Sequence, residues 1–487
     1  MKRVKWFAFV TLLSFAVSFS GLAAAQEDSA GQENMAPQQP DVQQAIPPDE
    51  IPPGIVKRQG TEITPPSSVS TPGHGAHTNL KIFVPAGHQL SSAVPDYTFA
   101  ETPASIGCVY GLENSYAGCN PDTHSTEHPT GGWGAIAIVD AYHDSHIASD
   151  LAFFDSYWGL PTASFKQVEA NSSFGNLDGL TASCSGTPAS ASGSGWDFDE
   201  SQGVEWAHAM APDAEIILVE ACTNNLPDLL YANEVAAKEV QSYGGGDISN
   251  GWGLPESSVG VAGDKGGTLT EQQDDNFFFR NNNNKQITYF AVAGNSGAEV
   301  LYPGASPWVV SVGGTTINRD ASGNFLSESC WSGSGGGLST KEFWQNPPNI
   351  NTGMGPWTNY QYPLFAGAPG ELPARSTPDI AFDADPASGV YVYDTDSGGA
   401  WYIAGNTGVS SAALAGIVNS AGQRLGMVGP GGWYTPSELN LIYSILPTHT
   451  AYPSYYYDVT TGSNGHAAGK GYDQCTGVGT PRGLKGK

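Results

Sequence analysis

The sequence predicts an α/β domain: a doubly wound, mostly parallel sheet of the seven-stranded type, with helices on both faces. Three observations point there. Short apolar runs recur after Gly131, at 135–139, 216–219, 289–293, 309–312 and 390–393. Segments with helical spacing, 147–158 and 229–240, lie between them. Runs of that length without polar alternation suit strands covered on both faces, the parallel arrangement. Finally, Asp140, Asn250 and Asn295 follow the ends of such runs, where open parallel sheets place their chemistry.

In chain order, residues 1–25 read as an export signal. Met1, Lys2, Arg3 and Lys5 give a positive start, 6–17 an apolar run, and Leu22-Ala23-Ala24-Ala25 a small-residue cleavage site before Gln26. The apolar run is too short to span a bilayer. The expected location is therefore outside the cell or in the periplasm, with no membrane partner. Residues 26–79 are rich in Pro, Gln, Ser and acid, as in Pro47-Pro48-Asp49-Glu50-Ile51-Pro52-Pro53, and predict a disordered tail. Residues 80–130 form a short ordered lead-in carrying Cys108 and Cys119, and 131–487 the α/β domain.

Six cysteines are present, an even number that an oxidising compartment can pair. Cys108 and Cys119 bracket a short loop and are the expected bridge; the rest of the connectivity stays open. No C-x-x-C pair supports a zinc–thiolate site. The net charge is −28, from 47 acidic and 19 basic residues. Such a surface repels nucleic acid and anionic lipid, which excludes both as main partners. It also suits an acidic environment, where carboxylates protonate and self-repulsion falls.

Three segments carry a resemblance. They are Val204-Glu205-Trp206-Ala207-His208-Ala209-Met210-Ala211-Pro212, then Ala293-Gly294-Asn295-Ser296-Gly297 with Val312-Gly313-Gly314-Thr315-Thr316, then Gly405-Asn406-Thr407-Gly408-Val409-Ser410-Ser411-Ala412. Ala137-Ile138-Val139-Asp140-Ala141-Tyr142 and Pro378-Asp379-Ile380 are further landmarks. In this order, from 131 to 483, they resemble the sedolisins, the serine-carboxyl peptidases. The resemblance implies a subtilisin-like fold and a serine nucleophile at a helix start. Its base would be a glutamate, oriented by an aspartate one helical turn on. A protonated aspartate would hold the oxyanion, confining the chemistry to acid.

Carried across position by position, that set is replaced. Asp199 stands for the glutamate, one methylene shorter, and Gly203 for the orienting aspartate. Asn295 stands for the oxyanion aspartate, and Gly408 for the serine. Losing such a serine costs turnover on the order of a millionfold. Ser410 points to another helix face; Ser411 shares the face of 408 but lies about 4.5 Å further along the axis. Ser411 is the possible substitute nucleophile. The neighbouring Glu200 points to another face than Asp199. The expectation is a monomeric pseudopeptidase that binds peptide or protein in its cleft without cutting. The alternative is an acid-acting endopeptidase using Ser411 or a water activated by Asp199. The family's folded N-terminal prodomain is expected to be missing.

Near the C-terminus, Asp458-Val459 and Gly469-Lys470-Gly471-Tyr472-Asp473 match the family's Ca2+ site. The resemblance implies ligands from the side chains of Asp458 and Asp473 and the carbonyls of Val459, Gly469 and Gly471, all oxygen, as a hard cation prefers. His74, His77, His124 and His128 are expected in loops, and His208 packed within its helix.

Overall fold

In the computed structural model the described residues are 54–70, 75–95, 100–113, 115–123, 125–260, 267–279, 286–343, 374–422, 434–444, 450–485 and 487. The expected export signal and the start of the expected tail lie outside them. Three short strands open the described chain: β1 (Gly60–Ile63), β2 (His77–Thr78) and β3 (Ile82–Pro85). All four residues of β1 are exposed, and the strand is held by antiparallel pairing with β3, from Gly60↔Pro85 to Ile63↔Ile82. The tail expected over 26–79 is corrected here. Backbone ladders order β1 and β2, with Ala76 packed into the core beside β2, and composition does not register such short pairings.

Helix α1 (Pro103–Val109) starts from a capping box: Ser105 N donates to Thr102 Oγ1 at 3.1 Å and Thr102 N to Ser105 Oγ at 2.8 Å. The expected Cys108–Cys119 bridge ties the end of α1 to the loop after it. Cys184–Cys222 and Cys330–Cys475 complete the pairing.

The α/β core then follows as β4 (Ala135–Ala141), α2 (Ile147–Trp158), β5 (Ser164–Ala170), α3 (Trp196–Met210), β6 (Glu215–Ala221), α4 (Leu226–Ser242), β7 (Gly246–Asn250), β8 (Trp252–Pro255), β9 (Ile287–Val292), β10 (Leu301–Tyr302), β11 (Val310–Arg319) and β12 (Phe325–Cys330). Later strands are β13 (Gly337–Phe343), β14 (Ala374–Thr377), β15 (Ile380–Asp383), β16 (Val390–Asp394) and β17 (Ala400–Ala404). The main sheet has eight strands in the order β12-β11-β9-β7-β4-β6-β5, with β15 on β11. β12 alone pairs antiparallel; the other pairings are parallel. Seven parallel strands and one antiparallel edge match the predicted class.

Alternate residues of the strands serve two cores. Ile136, Ile138, Ile216 and Leu218 meet α2, α3 and the helix Thr407–Ala421 on one face. Ala135, Ala137, Val139, Ile217 and Val219 meet α4 on the other. Period-2 strands with both sets buried are what the uninterrupted apolar runs require. The run at 390–393 is a correction: β16 leaves the parallel sheet and lies in an antiparallel sheet ordered β1-β3-β17-β16. It pairs with β17 across a short Gly398-Gly399 turn, and such local pairing uses the same β-branched and aromatic residues as a parallel strand.

Candidate active site

The first turn of the helix Thr407–Ala421 is set by Asn406. Its extended backbone places the side chain as an N-cap, with Oδ1 accepting from Val409 N at 2.9 Å. That oxygen occupies the space beside Gly408. A Cβ at 408 would stand 2.6 Å from Asn406 Oδ1, 3.2 Å from Gln202 Nε2 and 3.4 Å from Gly251 O. The first distance is shorter than real Cβ contacts tolerate. Asn406 and Gln202 lock together, Asn406 Nδ2 donating to Gln202 Oε1 at 2.8 Å and Gln202 Nε2 to Asn406 Oδ1 at 3.3 Å. Gln202 Nε2 also donates to Asp199 Oδ1. Where a nucleophile's side chain would stand, there is a buried amide pair.

Asp199 enters from the first turn of α3 and Asp140 from the end of β4; both are buried and they meet side chain to side chain. Burial pushes Asp199 up to about 7, while hydrogen bonds from Asp140 and Gln202 pull against it. Burial first, then the charge of Asp199, push Asp140 well above the carboxylate range. Two carboxyl groups in this position hold one proton between them. Gly203 has no room for a larger residue: a Cβ there would stand 2.8 Å from Ile138 Cγ2. The space of an orienting carboxylate is filled by the sheet's own isoleucine.

Asn295 lies just past β9, and its amide is committed at both ends. Its Oδ1 accepts from Thr407 N and Thr407 Oγ1, both at 3.0 Å, and its Nδ2 donates to the carbonyl of Asn79. Ser411 faces the sheet, its Oγ 2.8 Å from Ser249 Oγ and wholly buried. Ser410 Oγ donates to Asp383 O at 2.8 Å. Asn250 is turned to α4, accepting from Asn233 Nδ2 at 2.9 Å. The structure therefore brings Asp140, Asp199, Gly203, Asn295 and Gly408 to one place and leaves Ser411 and Asn250 out of it.

The carbonyl of Asn79 belongs to a feature that the sequence did not disclose. β2 pairs antiparallel with β8, His77↔Gly253 and Thr78↔Trp252, while β10 holds the other edge of β8. Asn79 Nδ2 donates to Gly251 O at 3.2 Å, and Gly405 N donates to Lys81 O at 3.0 Å. Ala76, His77, Thr78, Asn79 and Leu80 are all buried. An extended piece of the chain itself thus runs along β8 and across the cluster, with a backbone carbonyl against the Asn295 amide.

At the C-terminal loop, Asp458 Oδ1 accepts from Gly471 N at 2.9 Å and Tyr452 OH at 3.1 Å. Asp473 accepts from Gly469 N at 3.0 Å and from Cys475 N and Thr476 N at 2.8 Å. Burial raises both carboxyls, Asp473 to about 6. Both charges bear on the Tyr452 hydroxyl, so the two carboxyls lie on the same loop near it, while the expected carbonyl ligands of Val459, Gly469 and Gly471 remain a proposal. An all-oxygen pair on a glycine loop fits a hard cation.

The histidines stay structural where they are described. His208 Nε2 lies 2.8 Å from Pro161 O and 3.3 Å from Asp155 Oδ1, wholly buried. His77 is corrected from a loop to the buried strand β2, and it and His128 bond to neighbouring carbonyls. His74 and His124 lie outside the described residues.

No family model matches the sequence. Kumamolisin from Bacillus sp. (strain MN-32) is 29% identical over 339 residues, 64% of this chain and 53% of that protein. Sedolisin from Pseudomonas sp. (strain 101) is 28% identical over 199 residues, 37% of this chain and 28% of that protein. The chain thus spans about half the length of kumamolisin and less of sedolisin. Among solved structures, Pseudomonas sedolisin complexed with two molecules of pseudo-iodotyrostatin superposes with a TM-score of 0.56 at 21% identity, covering 79% of this chain and 96% of that one. That likeness shows the fold. Together, the sequence relatives and the shared fold make this chain similar to the sedolisins over part of their length, on a subtilisin-like fold.

Proposed function

We propose that the protein is an exported pseudopeptidase that holds an extended peptide or protein segment in its cleft without cleaving it. The observation that carries this is the contact at Gly408. Asn406 Oδ1 lies 2.6 Å from where a side chain at 408 would begin, so the site is filled, not merely short of a hydroxyl. No described hydroxyl replaces it, because Ser410 and Ser411 are buried and bonded elsewhere. Export is supported by the sequence of residues 1–25 and by three disulfides. Among the described residues no helix is long and apolar enough to cross a membrane. The Asp458/Asp473 loop would hold Ca2+, which would brace the fold and leave the cleft chemistry unchanged.

Binding has a definite geometry under this reading. A peptide would add to β8 as a strand, the main-chain ladder giving affinity and side-chain pockets specificity. β2 already holds that edge, so the incoming strand exchanges with residues 76–79. Replacing 76–79 by Gly-Ser-Gly-Ser frees the edge and should tighten binding of a fluorescent extended peptide by about tenfold, roughly 1.4 kcal/mol. Anisotropy with both proteins measures it; equal or weaker binding by the replaced chain would remove the cleft as the binding surface.

A further inference from the structure

We propose that the cleft selects asparagine: the segment it accepts carries Asn at the place now held by Asn79, with a hydroxyl residue, Thr or Ser, directly before it. This deepens the reading above and rests on it, because residues 76–79 are taken as the chain's own copy of the ligand. Main-chain groups hold that copy without reading its sequence. Ala76 N donates to Asn224 O at 2.8 Å, and Ala76 O accepts from Asn224 Nδ2 at 2.7 Å. His77 and Thr78 pair with Gly253 and Trp252 of β8. The carbonyl of Asn79 accepts from Asn295 Nδ2, and that of Lys81 from Gly405 N at 3.0 Å. Any extended chain offers these groups.

The side chain of Asn79 is read differently. The residue is buried, and its Nδ2 donates to Gly251 O at 3.2 Å. A carbonyl acceptor asks for a donor, which an amide supplies and an ionised carboxylate does not. Gly251 also stands against Asp199, whose Oδ2 lies 2.9 Å from where a Cβ at 251 would begin. An Asp in place of the Asn would therefore meet a carbonyl oxygen beside the buried Asp199–Asp140 pair. Such a mismatch rejects a wrong ligand as effectively as a bond attracts the right one. An Ala there leaves Gly251 O without this donor, and a buried polar group deserted in this way is a strong source of discrimination.

The neighbouring positions divide in the same way. Thr78 is wholly buried, its Oγ1 2.6 Å from Ser68 Oγ and 3.0 Å from Ser67 Oγ. The turn Pro66–Ser68 that supplies these hydroxyls is seated on Gly195 before α3, where an added Cβ would run into Ser67 Oγ. It forms part of the wall that an incoming segment meets. His77 is the contrast. Its Nδ1 lies 2.9 Å from Thr78 O, and its Nε2 is buried with no partner among the described residues. No described side chain there reads an imidazole, and an apolar residue in its place removes an unmet polar group.

The test is fluorescence anisotropy with labelled heptapeptides, on the full chain and on the full chain with 76–79 replaced by Gly-Ser-Gly-Ser. The parent peptide copies residues 75–81, Gly-Ala-His-Thr-Asn-Leu-Lys. Its analogues change Asn to Asp, Asn to Ala, Thr to Val and His to Leu. The expected result is binding of the His-to-Leu peptide at least as tight as the parent. The Ala and Val analogues should lose about tenfold and the Asp analogue more. Asn295→Ala should weaken every peptide by the same factor, because that amide meets a main-chain carbonyl. Equal binding of the Asn, Asp and Ala peptides would overturn the proposal and leave the cleft reading standing. If no peptide binds either protein, the cleft reading falls and the proposal with it. Should the replaced chain fail to fold, Asn79→Asp and Asn79→Ala in the otherwise unchanged chain decide. Hydrogen exchange at 76–80 should accelerate in both, more in Asn79→Asp, and protection equal to wild type would overturn the proposal.

Discussion

At position 408 the glycine faces a space that the Asn406 side chain already occupies. Gly408→Ser places a Cβ 2.6 Å from Asn406 Oδ1 in a buried spot. The expected outcome is a loss of about 1–3 kcal/mol of stability, the usual cost of overpacking, and no gain of peptidase activity. Asn406→Gly with Gly408→Ser should recover most of the space but lose the cap on Val409. Thermal unfolding of the single and double variants checks this, and a single variant as stable as wild type would contradict the filled site. Gly203→Asp should likewise destabilise, against Ile138, unless Ile138 is shortened. That positions 199, 203, 295 and 408 come together was legible in the sequence because the motifs around them are local. The role of Asn406 was not. It stands in the quoted motif, and an Asn before a helix signals a cap, but that its oxygen fills the space at 408 depends on the turn's geometry. Ser411 misled for a related reason: helical spacing gives a face, and only the packing of that helix on β7 shows what the face meets.

On the level of elements, β2 and its continuation to Lys81 matter most, and they are the least legible. A two-residue ladder leaves no periodicity, and the surrounding Pro, Ser and Gly read as tail. By contrast, the strands of the parallel sheet were legible as apolar runs, because burial on both faces dictates their composition. Beyond its own ladder the strand along β8 is held by side-chain amides: Asn224 Nδ2 on Ala76 O at 2.7 Å, Asn79 Nδ2 on Gly251 O, and, at its cluster end, Asn295 Nδ2 on Asn79 O. Asn295→Asp removes that donor and sets a carboxylate against a carbonyl. Hydrogen exchange at 76–80 should then accelerate while β4 and β6 stay protected. Equal protection in variant and wild type would show that Asn295 does not hold the segment.

For the whole molecule, buried acid dominates. Asp199, Asp155 and Asp274 are pushed up to about 7 and Glu271 to about 9, in every case chiefly by burial. A carboxyl whose folded-state pKa is raised binds its proton more tightly folded than unfolded. Its contribution is therefore fully present below the unfolded value of about 4 and is lost as pH rises through about 7. Net repulsion from a charge of −28 acts in the same direction. The urea midpoint should be higher in mild acid than in mild alkali, and a midpoint that rises steadily with pH would contradict the burial of these groups. Chelation should lower the melting temperature near neutral pH, by an amount that shrinks in Asp458→Asn/Asp473→Asn. The acidic composition announced this behaviour in general terms; which carboxyls carry it follows from burial that only the fold supplies.

The central proposal is that the chain holds an extended segment beside β8 without cutting it. Mass-spectrometric detection of cleavage products tests it most directly, with purified protein and a denatured protein substrate incubated from acid to neutral pH. The structure predicts no products above those of a heat-inactivated control at any pH. Products that vanish in Ser411→Ala or Asp199→Ala would contradict it and establish the chain as a working peptidase.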